Sequence, residues 1–278
     1  MPQSGDDKPK PSDFRQYRAY LASEDFAIGG YTPEPTSDLI DEEVWNGLMT
    51  LPTDVALRTS AERGTDMGSL AKISQDWIFA GPMAPDDQPI VFDSYLIASE
   101  EFDAAVFNAL HGFYRPAIGC LRTAFERFTI AAGLAAKGDT ARAALWNAGT
   151  DEIPFTTARK WLPPSQILPP LSLGERDDLF GSHSTSWSPD LYRRLSNFEH
   201  GRAGHNSGDL WSSNGPIYTD EGLDAVRQLA SETAAHLHLL LAATWPNYKT
   251  GDALTSLLAM ASSEWSAHLP TIRKAVGV

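Results

Sequence analysis

Apolar residues recur along most of this chain at spacings of three and four, and nowhere do they alternate singly over any length. Spacings of three and four gather side chains on one side of an α-helix, whereas single alternation marks a strand. The pattern therefore predicts an all-α protein. Its two strongest segments run from about 89 to 111, with Phe92, Leu96, Ile97, Phe102, Ala105, Val106 and Leu110 apolar, and from 116 to about 137, with Ile118, Leu121, Phe125, Phe128 and Ile130. The link between them, His111-Gly112-Phe113-Tyr114-Arg115, is short and contains a glycine, and it leads into Pro116, a residue suited to a first helical turn. These features predict an antiparallel helical hairpin with arms about 30 Å long.

Weaker helical segments surround the hairpin. One starts near Ser37 with an acidic first turn and the stripe Leu39, Val44, Leu48 and Met49; another spans 53–79 across Gly64 and Gly68. Others cover 140–148, 156–161, 223–243 and 252–268. This predicts a flexible arm over 1–35, a helical segment over 36–88 that packs on the body, and a helical domain over 89–278. Within that domain, residues 151–187 hold Pro154, Pro163-Pro164 and Pro169-Pro170 and form a proline-stiffened crossover. No repeat of fixed period is evident, which argues against a solenoid.

With 278 residues, 42% of them hydrophobic, the chain has material for a sizeable core. A net charge of −14 counts against coating nucleic acid non-specifically, so any RNA contact must be local or helped by a partner. No apolar run approaches the ~20 residues of a bilayer span; the longest, 234–245, is broken by His236 and His238, and no membrane association is expected. The first residues carry no apolar signal core, and one cysteine, Cys120, cannot form an internal disulfide, so a cytoplasmic protein is expected. Cys120 lies in an apolar helix and reads as a buried, inert thiol. There is no P-loop, dinucleotide fingerprint or nucleophile elbow, and no cofactor is predicted.

Candidate chemistry gathers between Ser188 and Arg202. Ser188 can cap a helix, Pro189 and Asp190 suit its first turn, and Gly201 suits its end. Leu191, Leu195 and Phe198 share an apolar face, while Arg193, Ser196, Asn197 and His200 share another at i, i+3, i+4 and i+7. The Gly-rich loop 201–208 follows, with Arg202 and His205 placed either to gather phosphate beside His200 or simply as surface residues. His183, His200, His205 and Asp209 match no standard metal-ligand spacing, so no metal is predicted. Arg122 and Glu126 stand at i, i+4 on the second hairpin arm, where partners from the 188–202 helix would let them be buried.

The Arg193/Arg194 to His200 spacing, with six or five residues between, resembles the Arg-x4–6-His motif of HEPN-type domains. Gly112-Phe113-Tyr114-Arg115-Pro116-Ala117 followed by Leu121-Arg122-x3-Glu126 is similar to the second helix of poorly characterised bacterial HEPN-like families. Tyr192-Arg193-x-Leu195-Ser196-x3-His200 is similar to their motif segment. The similarity covers about residues 90–245. The position after the arginine departs from it: these families usually have Asn, Asp or His there, and this chain has Arg194 or Leu195. The resemblance implies a HEPN-like helical bundle that dimerises and a metal-independent ribonuclease whose site joins both protomers' motifs, in a toxin or antiphage setting with a regulatory protein partner. It implies His200 as acid/base and Arg193 or Arg194 as the stabiliser of a five-coordinate phosphorus, with Ser196 and Asn197 orienting them. The alternative is a non-catalytic binding or assembly module in which Arg193 pairs with an acid such as Glu126 and His200 caps its own helix.

Overall fold

The computed structural model describes residues 42–80, 89–162, 172–199, 214–245, 248, 251–260 and 266–276. Among them the chain forms ten α-helices and no strand, an all-α protein. The helices are α1 Glu42–Phe79, α2 Pro89–Leu110, α3 Tyr114–Lys137, α4 Thr140–Asn147, α5 Phe155–Arg159, α6 Leu173–Phe180, α7 Trp187–Glu199, α8 Asp220–Thr244, α9 Gly251–Ala259 and α10 Leu269–Val276. The chain divides into two compact units, 1–51 and 52–278. In the first, Val44 and Leu48 are exposed on α1. The loose arm expected over 1–35 lies outside the described residues.

Helices α2 and α3 form the hairpin that the apolar spacing predicts. Its turn rests on Gly112, whose φ of 77° is open to glycine and strained for other residues. The Gly112 carbonyl accepts from the Ile217 N–H at 3.2 Å, and a Cβ on Gly112 would fall well inside contact distance of the Ile217 backbone. The Tyr114 hydroxyl accepts from the Thr219 N–H at 3.3 Å, which fastens the same turn to the start of α8. Gly112→Ala is therefore expected to cost about 2 kcal/mol or more in denaturant unfolding. Gly138→Ala is the control. Gly138 also has positive φ, at 70°, but open space around it, so about 1 kcal/mol is expected there.

Helix α8 is the centre of the unit. Every residue from 229 to 241 is buried, as expected of a helix apolar around most of its circumference. Leu121, Phe125 and Phe128 of α3, Leu191 and Leu195 of α7, and Leu254, Leu257 and Leu258 of α9 share its core. Trp77 of α1 is fully buried there, edge-on to Phe128 with ring centroids 5.4 Å apart, and its Nε1 donates to the Tyr95 carbonyl at 3.3 Å. Residues 52–79 thus contribute to the same core as the hairpin. Helix α1 bends at Arg63, whose backbone leaves helical geometry. The Arg63 guanidinium bonds Asp66 at 2.6 Å and, on α8, Asp220 and Asp224 at 2.5 Å each.

Several local expectations change. Helix α3 begins at Tyr114, two residues before Pro116. The single helix expected over 252–268 is instead α9, a 3₁₀ turn at Ser266–His268 and α10, with Pro270 in the first turn of α10. Proline lacks the N–H that a helix interior needs but fits a first turn, where that N–H would have no partner, so Pro270 stands at the start of a new helix. Cys120 is half-buried rather than sealed, and desolvation pushes its thiol up to about 11. No helix of the described residues is long and apolar enough to cross a membrane.

Candidate active site around helix α7

Helix α7 begins when the Asp190 N–H donates to the Ser186 carbonyl at 3.1 Å. Ser188 is therefore inside the first turn and not a cap. Its hydroxyl is fully buried and bonded to Nε2 of His236 on α8. The sequence suggests capping because serine commonly caps, but here the tertiary partner takes the hydroxyl.

Three stripes run along α7. Leu191 and Leu195 are buried in the core, and Phe198 packs against it. A second stripe anchors the helix to α8. The Glu232 carboxylate, 1% exposed, accepts from Trp187 Nε1 at 2.6 Å and from the Arg194 guanidinium at the same oxygen, Oε1. Arg194 also bonds Asp190 at 2.8 Å. Burial pulls Arg194 down, but the hydrogen bond and charge of Glu232, with Asp190, outweigh it and raise its pKa, so it stays charged. Burial pushes the Glu232 carboxyl up, and Arg194 and Trp187 pull it back only in part.

The third stripe faces α3. Arg122 donates from Nε to the Ser196 hydroxyl and from Nη2 to the Tyr192 hydroxyl, both at 3.2 Å, and pairs with Glu126 at 3.3 Å. The Tyr192 hydroxyl donates in turn to Glu126 at 3.3 Å. Phe155 stacks on the Tyr192 ring with centroids 4.1 Å apart and planes 9° apart, which holds the phenol in place. The structure thus joins three residues singled out from the sequence, Arg122, Glu126 and Ser196, in one half-buried polar cluster. Tyr192 is its fourth member. It was part of the motif segment but was given no role, although its i, i+4 spacing to Ser196 puts both on the side facing α3.

Arg193 is in neither cluster. Its side chain is 58% exposed and pairs with Asp190, so Asp190 serves both arginines. Its partner is therefore Asp190, one turn back, while Glu126 pairs with Arg122. Asn197 is partly exposed. His200, Arg202 and His205 lie outside the described residues, as does Asp209. Among the described residues no group of three or more His, Cys, Asp or Glu is placed to hold a metal ion.

The arrangement separates two tasks. The Arg194–Glu232 pair fixes α7 to α8, Arg193 on the same helix is exposed, and Tyr192 and Ser196 join α7 to Arg122 and Glu126 of α3. No protein-family model, curated protein or solved structure matches the chain.

Proposed function

We propose that the protein is a metal-independent ribonuclease of the HEPN type, with His200 as the acid/base and Arg193 as the guanidinium that meets the reacting phosphate. The carrying observation is the unequal environment of the two candidate arginines. Arg194 is bound to Glu232 inside the unit, whereas Arg193 stands in solvent on the same short helix. Arg194 then positions α7 and does not touch substrate. Where α7 meets α3, Arg122 is held half-buried by Ser196, Tyr192 and Glu126, a preorganised donor set.

The chemistry suits these groups. The ribose 2′-oxygen attacks the adjacent phosphorus while an imidazole removes its proton. The 5′-oxygen leaves with a proton from an imidazole, giving a 2′,3′-cyclic phosphate and a 5′-hydroxyl. Histidine has the pKa for both tasks near neutral pH, and a second copy of the motif from a homodimer partner would divide them. Arg193 offsets the charge that builds on the phosphoryl oxygens. Asn197, Arg202 and His205 serve substrate binding in this scheme, and no cofactor takes part. With the net charge at −14, RNA engages locally. A toxin or antiphage role, under a regulatory partner in the cytoplasm, is the setting the resemblance suggests.

The second function, a non-catalytic binding or assembly module, is favoured by one observation: Asp190 already pairs with both arginines. One experiment separates the two. Purified protein is incubated with total RNA in EDTA, beside the His200→Ala, Arg193→Ala and Arg194→Ala variants. The nuclease predicts that His200→Ala lowers cleavage by about 100-fold or more at unchanged Tm. It predicts the same pattern for Arg193→Ala, while Arg194→Ala lowers Tm. RNA left intact by the wild-type protein, or cut equally by the His200 variant, leaves the module standing.

A further inference from the structure

A second constellation lies where α5 meets α6. A cavity of about 190 Å³ is lined by Arg159, Lys160, Leu162, Arg176, Asp177 and Phe180. Arg159 decides its character. It is 6% exposed, yet no carboxylate pairs with it among the described residues. Its guanidinium donates to the Gly181 carbonyl, and its Nε is buried without a hydrogen-bond partner. A buried cation with no counter-charge is an expensive arrangement, and proteins normally supply an anion. Burial alone moves it, downward, as expected of an uncompensated cation.

Its surroundings supply more positive charge. Lys160 and Arg176 line the cavity as well, and among the described lining residues Asp177 is the carboxylate. This stands on a chain whose net charge is −14, so the accumulation is local. Gly181 holds the geometry. A Cβ there would run into the Asp177 carbonyl, so the end of α6 can close tightly enough to aim the Gly181 carbonyl at Arg159 only with glycine.

We propose that this cavity binds a small phosphate-class oxyanion, held by Arg159 from inside and by Lys160 and Arg176 at its rim. The cavity is smaller than the ~300–1,000 Å³ of sites for drug-sized ligands, which restricts the occupant to a free oxyanion or the terminal phosphate of a larger molecule. Guanidinium forks match the tetrahedral oxyanion, and Leu162 and Phe180 add apolar surface to the lining. The cavity shares no described lining residue with α7's polar cluster, from which Phe155 divides it, and the proposal does not depend on the nuclease reading.

The test uses the full chain, with calorimetric titration and thermal unfolding at constant ionic strength. Inorganic phosphate and adenosine 5′-monophosphate are the two arms, and acetate and chloride are controls. Saturable binding of either phosphate, with a Tm rise that the controls do not give, is expected, and the tighter arm identifies the source. Arg159→Met should weaken binding by about tenfold or more while leaving ligand-free Tm unchanged or higher, because it removes an unpaired buried charge. Lys160→Gln, at an exposed position, should weaken binding severalfold with no change in fold. No saturable binding in either arm, or binding that both variants retain at full strength, overturns the proposal.

Discussion

Glu232→Ala is expected to lower the free energy of unfolding by about 3–5 kcal/mol, because it strips the buried Arg194 of its principal counter-charge. Two groups depend on that one carboxylate oxygen. Arg194 and Trp187 Nε1 both donate to it, and the other oxygen is buried with no hydrogen-bond partner. Water cannot replace it, since α8 is sealed at this point. Asp190 keeps one bond to Arg194, but it is itself shared with Arg193. The pair is also a poor source of net stability compared with a well-packed apolar substitute. The double change Glu232→Leu with Arg194→Met should therefore recover much of the loss, and denaturant unfolding of the four proteins of the cycle measures it. A single-variant loss under about 1 kcal/mol would show that the pair does not hold α7 to α8.

Acid should weaken the fold before most of its carboxylates are protonated. Desolvation holds His236 down to about 3 and His238 down to about 4, against an ordinary 6.5. His236 is enclosed by Phe125, Phe180 and Trp187 with Ser188 at its Nε2, and charge on His268, itself depressed by burial, disfavours its protonation further. His238 lies edge-on to Trp77 and bonds the Tyr248 hydroxyl, with Asp76 the nearby charge. Both rings are neutral in the folded state and gain a proton on unfolding below about pH 6.5. The unfolded state then holds more protons, so stability is full above that pH and falls as pH drops toward the folded values. Between about pH 7.5 and 5 each ring removes about 2 kcal/mol, together about 4, a large share of a typical domain's stability. Glu232, raised by burial, works in the opposite sense as one group against these. Urea midpoints taken across this range should fall steeply, and His236→Gln should remove about half the slope. A flat profile sinks the assignment of both rings as neutral core groups.

The hairpin, the long central helix and the α7 segment were legible because each is written in local spacing. Phe125 and Phe128, or Leu191 and Leu195, repeat where a helix puts them on one side. What was not legible joins residues far apart in sequence. Glu232 shows nothing in its neighbourhood that pairs it with Arg194, 38 positions earlier, and Arg63 reaches Asp220 across 157 positions. Ser188 misled because its local preference for capping gave way to a buried imidazole. Arg193 and Arg194 are neighbours with equal claims in the sequence. Only the 100° turn between them, set against the position of α8, sends one inward and the other out. Of the motif, the arginines and Ser196 are placed, whereas His200 lies outside the described residues.

The position of α8 in the chain bears on synthesis at the ribosome. The hairpin α2–α3 is complete at Lys137, but the helix that covers Leu121, Phe125 and Phe128 starts at Asp220. At ~5–20 residues per second, the nascent hairpin waits roughly 5 to 15 s with that apolar side uncovered. During that interval aggregation competes with folding, and a chaperone that shields greasy surface on emerging polypeptide would find its target between those two helices.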